Sequence, residues 1–166
     1  MVPLYWQAGE MFRITKLTDY GVMLMTEFAV EPARLRNTAG LAEASHLSVP
    51  TVSKVLKLLL KEGLLESIRG AGGGYRLARK PENVSVQDII VALEGPIALT
   101  ECNLSSSDCE QQSHCSVSGS WRRINHAVRH ALSDITLADM VQPHFEPVIQ
   151  LQKQRPNTIS ISSEVG

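Results

Sequence analysis

The sequence predicts a mainly α fold, a winged helix-turn-helix with a long C-terminal dimerisation helix. Three observations predict it. Two helical patterns, 38–45 and 48–62, are joined by the tight turn His46-Leu47. Two short strand patterns flank the glycine-rich stretch Gly70-Ala71-Gly72-Gly73-Gly74. A heptad-like apolar seam then runs through 119–135.

The first helix is expected over 17–30. Val22, Met25, Phe28 and Ala29 share a face, Thr18 or Asp19 caps the start, and Pro32 follows the end. The second spans 38–45, with Asn37 or Thr38 as cap. Ser48 caps the third, and Pro50 is tolerated in its first turn. Gly63 stops that helix, since glycine readily adopts the left-handed conformation at a C-terminus. Its buried stripe is Val52, Val55, Leu56, Leu59 and Leu60; Thr51, Ser53, Lys54, Lys57 and Lys61 lie on the other face. Strands are expected at 64–69 and 75–78, and Pro81 ends the hairpin. Ser85-Val86-Gln87-Asp88 resembles a capping box opening a helix that ends at Gly95-Pro96. A polar loop over 100–118 holds all three cysteines. In the last long helix Trp121, Ile124, Val128, Ala131 and Ile135 fall at spacings of 3, 4, 3 and 4, suited to packing along a partner helix. Thr136 caps a final short turn.

The organisation that follows is an N-terminal extension (1–10), a DNA-binding domain (11–95), a cysteine loop (96–118), a dimerisation helix with a short C-terminal helix (119–143), and a polar, serine-rich tail (144–166). Both ends are expected to be disordered, and Met11 is an alternative start to Met1.

The formal charge of the 166 residues is −1, but its distribution is uneven. Residues 48–80 carry seven bases and two acids, whereas 94–166 carry five bases and eight acids. A local positive excess in an acidic chain is the footprint of a polyanion-binding face. The third helix offers Ser48, Thr51, Ser53, Lys54 and Lys57 to double-stranded DNA, in the position of a recognition helix. The hairpin is the wing: Arg69 is placed to enter a minor groove, and Gly72, Gly73 and Tyr75 belong to the same DNA-binding surface. A nucleotide-binding loop is disfavoured, because the glycines precede a strand and no Lys-Ser/Thr opens a helix after them. Aromatic residues make up 5% of the chain, too few to suggest a base-stacking platform.

No apolar run approaches membrane-spanning length, and the opening residues lack the basic and apolar regions of a signal peptide. A cytoplasmic protein with no membrane partner is expected. Three cysteines, an odd number, argue against a disulfide framework there. Cys102, Cys109 and Cys115 are spaced C-x6-C-x5-C, without the close pairs of a zinc ribbon. The spacing leaves open an iron–sulfur cluster, zinc, a thiol redox switch or no metal. His126 and His130 read as polar surface residues. Catalysis is not expected, since neighbouring loop residues such as His114 and Cys115 supply neither an oriented base nor an oxyanion hole.

Leu17-Thr18-Asp19-Tyr20-Gly21, then Arg69-Gly70-x-Gly72-Gly73-Gly74-Tyr75-x-Leu77, then three loop cysteines resemble the Rrf family of winged-helix regulators, with its IscR-like and NsrR-like members. Glu94-Gly95-Pro96, Thr100-Glu101-Cys102 and Trp121-Arg122-Arg123-Ile124-Asn125 resemble its subgroup of SUF-system iron–sulfur assembly regulators. The likeness covers 11–143. It implies a homodimeric repressor with crossed long helices, acting on palindromic operators and controlling the SUF operon. It also implies an iron–sulfur cluster on Cys102, Cys109 and Cys115. IscR-like members place a histidine ligand three residues after the third cysteine, where this chain has Ser118. NsrR-like members use an aspartate from the partner's first helix, which corresponds to Asp19. That favours Asp19 in trans as fourth ligand, and [4Fe–4S] over [2Fe–2S] without deciding between them. Cluster assembly would bridge the cysteine loop to the first helix and so set the spacing of the two recognition helices. The alternative is a winged-helix regulator without iron, using zinc or a thiol switch.

Overall fold

A computed structural model describes residues 14–103, 109 and 114–142. The two expected terminal extensions, and residues 104–108 and 110–113 of the cysteine loop, lie outside the described residues.

Helix α1 spans Lys16–Val30. Its cap is Thr15, not Thr18 or Asp19: the Thr15 side chain accepts the Thr18 N–H. Thr18 is instead fully buried, and its hydroxyl donates to Glu94 Oε1. The buried face is centred on Leu24, with Thr18, Gly21, Met25, Phe28 and Ala29, while Val22 sits at its margin. Helix α2, Thr38–Ser45, is capped by Asn37, and His46 leaves it in the left-handed conformation (φ 54°). That residue makes the tight turn into α3, Val49–Lys61, capped by Ser48. Val52, Val55, Leu56 and Leu59 form its buried stripe; Leu60 is only half-buried. Gly63, with φ 69°, releases the chain from the helix as expected.

Strands β1, Leu65–Ile68, and β2, Gly74–Leu77, pair antiparallel with Leu65 opposite Leu77 and Ile68 opposite Gly74. An isolated bridge between Arg36 and Tyr75 adds a third segment beside β2. A short 3-10 turn at Pro81–Asn83 leads to α4, Val86–Glu94, which opens with a reciprocal capping box between Ser85 and Asp88. A second 3-10 turn, Glu101–Asn103, carries Cys102 and packs against α5. Helix α5, Ser118–Asp134, is followed by α6, Leu137–Met140, capped reciprocally by Thr136 and Asp139.

One core unites these elements: Leu24, Met25 and Phe28 of α1 meet Leu41, Val55, Leu56, Leu59, Leu64, Leu65, Leu77, Val84 and Ile89. Leu137 belongs to it with no exposed surface, so α6 is part of this core and not merely a C-terminal appendage. The Ser85–Thr136 bridge fastens the end of α5 to the start of α4, with Val86 N donating to Ile135 O at 2.9 Å and Leu137 N to Val84 O at 2.7 Å. By contrast, α5 buries no apolar side chain; its one buried residue is Asn125. No helix among the described residues is long and apolar enough to cross a membrane.

Candidate functional site

The candidate recognition face is built on α3. Its apolar stripe faces the core, so helical geometry turns Thr51, Ser53, Lys54 and Lys57 the other way. Lys54 and Lys57 are exposed, and Thr51 and Ser53 are half-buried. A shallow depression runs along this face between Pro50, Ser53, Lys54, Lys57 and Leu58. Ser48 secures the start of the helix, where its Oγ accepts the Thr51 N–H and lies 2.8 Å from Thr51 Oγ1. The N-terminus of α3 therefore presents two coupled hydroxyls beside exposed Val49. This is the composition of a surface that meets phosphates and base edges.

The seven bases of 48–80 do not act alike. Arg76 is paired with Glu66 across the hairpin, Arg79 lies 3.9 Å from Asp88, and Lys61 lies 3.7 Å from Glu62. Among the described residues, Lys54, Lys57, Arg69 and Lys80 of this stretch have no ion pair, and all four are exposed. The net positive surface is thus concentrated on α3 and at the two ends of the hairpin.

The wing tip is held by backbone packing. A Cβ on Gly73 would lie 2.3 Å from the Ile68 carbonyl, and one on Gly74 would lie 2.7 Å from the Arg36 carbonyl. Gly70 has φ 124°, a conformation open to glycine. Gly72 is different: it has open space around it, so the chain itself does not require it to be glycine. Tyr75 is half-buried and packs against the core, while its backbone pairs with Arg36. It fixes the wing, and Arg69 is the wing's exposed cation.

The thiol site is assembled around α5. Cys109 and Cys115 are free and half-buried. Ser118 N, at the first residue of α5, donates to Cys115 O at 3.4 Å. The side chain of Cys102 lies outside the described residues. The segment before Cys102 is anchored by Asn125, whose Oδ1 accepts from Leu99 N at 3.0 Å and whose Nδ2 donates to Ile97 O at 3.3 Å. Asp19 is exposed in the first turn of α1. Among the described residues no three His, Cys, Asp or Glu side chains converge on one metal position. The donor chemistry nevertheless suits an iron–sulfur cluster: two unbonded, partly shielded thiols on one loop, a third cysteine close in sequence, and an exposed carboxylate on another helix.

The seam residues Trp121 and Ile124 are 39% and 45% exposed, and Val128, Ala131 and Ile135 are half-buried. The chain's own core does not cover them.

Sequence reasoning missed three residues that organise the site. Glu94 accepts from Thr15 N at 3.2 Å, Thr15 Oγ1 at 2.9 Å and Thr18 Oγ1, tying the end of α4 to the start of the helix bearing Asp19. The Thr18 hydroxyl foremost, and Thr15 after it, hold the Glu94 carboxyl below its ordinary pKa. Arg36 reaches Glu27 at 3.6 Å and Glu31 at 3.5 Å from the strand segment beside the wing. Glu94 and Asn125 stand within the motifs that carry the family resemblance, but their partners are set by contact and not by spacing; Arg36 had no signal.

The family model for Rrf2, described as an iron-dependent transcriptional regulator, matches residues 14–143. The transcriptional regulator NsrR of Shouchella clausii is 30% identical over 78% of this chain and 88% of its own length. Among solved structures, IscR of T. potens is 33% identical, with a TM-score of 0.61 over 80% of this chain and 89% of that one. CymR, the global cysteine regulator of B. subtilis, is 30% identical, with a TM-score of 0.62 over 78% of this chain and 96% of that one.

Proposed function

We propose that this chain, which belongs to the Rrf2 family of transcriptional regulators and is not an enzyme, is a homodimeric repressor whose operator affinity is set by an iron–sulfur cluster, and that it controls the SUF cluster-assembly operon. The observation that carries the reading is the arrangement of two functional surfaces on one core. A basic helix and wing stand exposed, Cys109 and Cys115 are free and partly shielded, and the segment leading into Cys102 is anchored to α5 through Asn125. Likeness to IscR and NsrR supports the cluster; the operator and the SUF assignment rest on the sequence resemblance.

Lys54 and Lys57 neutralise phosphates while Thr51 and Ser53 meet base edges at the start of α3. Arg69 enters the flanking minor groove, and Gly72 leaves room for the backbone to approach. Two chains pack through Trp121, Ile124, Val128, Ala131 and Ile135, presenting two recognition helices to a palindromic site. Cys102, Cys109 and Cys115 would hold the cluster, with Asp19 in trans as fourth ligand and [4Fe–4S] favoured over [2Fe–2S]. Such a cluster supplies a redox-sensitive link between thiolates and carboxylate. Within the chain, Asp19 lies on the helix that Glu94 ties to α4 and that Arg36 ties to the wing. Helix α1 also packs directly against α3, so a shift of α1 reaches both DNA-binding elements. A coupling of about 1–3 kcal/mol would change operator affinity roughly 5–150-fold.

A second reading has its own support. The chain is as similar to a cysteine regulator as to an iron–sulfur one, and Cys109 and Cys115 are free thiols. In that case the cysteines bind zinc or switch by oxidation. The deciding experiment is an absorption spectrum of anaerobically purified protein, with iron and sulfide counted in the same sample. Brown protein with near-equal iron and sulfide is expected. Protein that stays colourless after cluster reconstitution, yet still binds its operator, would overturn the iron–sulfur reading and leave the thiol reading.

A further inference from the structure

On α5, His126, His130 and Asp134 follow one another at four-residue intervals, which stacks their side chains along one helical face. That face points away from the seam of Trp121, Ile124, Val128, Ala131 and Ile135, since position 126 lies roughly half a turn from 124 and 128 at 3.6 residues per turn. The two imidazole centroids are 6.2 Å apart, with rings inclined by 42°. His130 Nδ1 lies 2.8 Å from Asp134 Oδ2. Both histidines are exposed, and neither belongs to the core or to the DNA-binding and thiol surfaces. An ionised aspartate only accepts hydrogen bonds, so in the neutral imidazole the contact places the proton on Nδ1 of His130 and leaves the Nε2 lone pair free. A carboxylate holding the far nitrogen in this way is the usual support of a metal-ligating histidine.

We propose that His126 and His130 form a two-imidazole chelate for a divalent transition-metal ion, of the class Zn2+, Ni2+ or Cu2+, with Asp134 orienting His130 and water completing the coordination. Imidazole suits these ions, whereas Ca2+ and Mg2+ require oxygen ligands that this face does not gather. Arg122, Arg123 and Arg129 are exposed on the same helix and make it positive. Their repulsion works against loosely held cations, so an ion stays only through real imidazole bonds. Histidine χ2 rotates over a broad well, so the exposed rings turn onto a shared ion without moving the backbone. The chelate clips two successive turns of the helix whose other face carries the seam. It uses no cysteine and is independent of the cluster proposed above.

The test is calorimetric titration of Ni2+ into the full-length chain after its three cysteines have been alkylated, which removes thiol and cluster binding. The Cys102→Ser/Cys109→Ser/Cys115→Ser chain serves if alkylation disturbs the fold. One Ni2+ per chain is expected. His126→Gln and His130→Gln should each abolish uptake, and Asp134→Asn should weaken it about tenfold, with helix content by circular dichroism unchanged. Absent uptake would overturn the proposal. So would uptake unaltered in both histidine variants, which would assign the ion to His46, His114 or His144.

Discussion

Arg36 and Tyr75 are hydrogen-bonded through their backbones in both directions, each N–H lying 2.9 Å from the other's carbonyl oxygen. The Arg36 side chain meanwhile faces Glu27 and Glu31 at the end of α1. A single residue thus joins the wing to the helix that carries Asp19 at its opposite end.

This junction depends on Gly74, because a Cβ there would meet the Arg36 backbone at 2.7 Å, where no side chain can yield. Gly74→Ala should cost about 1–3 kcal/mol, as overpacking usually does, and should also weaken operator binding by displacing the wing. Gly72→Ala, in open space, should change stability by no more than about 0.5 kcal/mol. Urea unfolding of both variants measures the contrast. Equal stability losses would show that the bridge does not hold the wing. If Gly72→Ala loses DNA affinity at unchanged stability, the wing tip touches DNA.

The paired and unpaired bases make a second contrast. Lys57 is exposed and has no ion pair among the described residues, whereas Arg76 is engaged by Glu66. Lys57→Ala should reduce the salt dependence of operator binding by about 0.9 in log–log slope, the value for one phosphate contact. Arg76→Ala should leave the slope unchanged. Fluorescence anisotropy across a salt series reads both, and an unaltered slope for Lys57→Ala would remove it from the phosphate contacts.

Periodicity exposes most of the helices, because α3 buries a regular stripe and Gly63 and Gly70 take positive φ values open to glycine, whereas His46 takes φ 54°, which L side chains rarely adopt. The start of α1 lies outside its reach: Thr18 is a good cap by type, but Glu94 from a distant helix claims its hydroxyl. The place of α6 is hidden as well. Helix α6 has only four residues, Leu137–Met140, too few for a periodic stripe to show, and the bridge between Ser85 and Thr136 sets Leu137 into the core. On the proposed DNA-binding face, sequence separates Lys54 and Lys57 from the buried stripe, since one helix decides that partition. It counts Arg76, Arg79 and Lys61 as equal to them, because pairing with Glu66, Asp88 and Glu62 is a matter of contact and not of composition.

Glu94 gives stability a specific pH dependence. Hydrogen bonds from Thr18, then Thr15, favour its ionised form and lower its pKa from 4.5. A carboxylate lowered on folding contributes stability fully above its unfolded value, and the contribution is lost as pH falls through the folded value. Glu94→Gln should therefore be less stable at neutral pH, by about 1 kcal/mol once solvent screening is allowed for. It should also lose less stability than the parent between about pH 5 and pH 3. Asp139, also held below its ordinary pKa by the Thr136 hydroxyl, contributes a loss of the same sign on acidification, which the variant keeps. Thermal melts across that range decide it, and parallel pH profiles would mean that the Glu94 bonds do not survive in solution.

The seam allows the proposed dimer to be tested apart from the fold. Ile124 is 45% exposed in the single chain, and no apolar side chain of α5 is buried in the core. Ile124→Asp should accordingly leave the folded monomer within about 0.5 kcal/mol of the parent. In a dimer packed through this seam, the same change buries an unpaired charge at the centre of the interface. It should raise the dimer dissociation constant tenfold or more, equivalent to about 1.4 kcal/mol. Arg123→Ala, off the seam, should leave association intact. Sedimentation velocity over a concentration series measures both. Operator affinity should fall with Ile124→Asp, since two tethered half-site contacts become independent events. A dimer untouched by Ile124→Asp would move the interface to another face of the molecule, and the crossed arrangement of α5 helices would go with it.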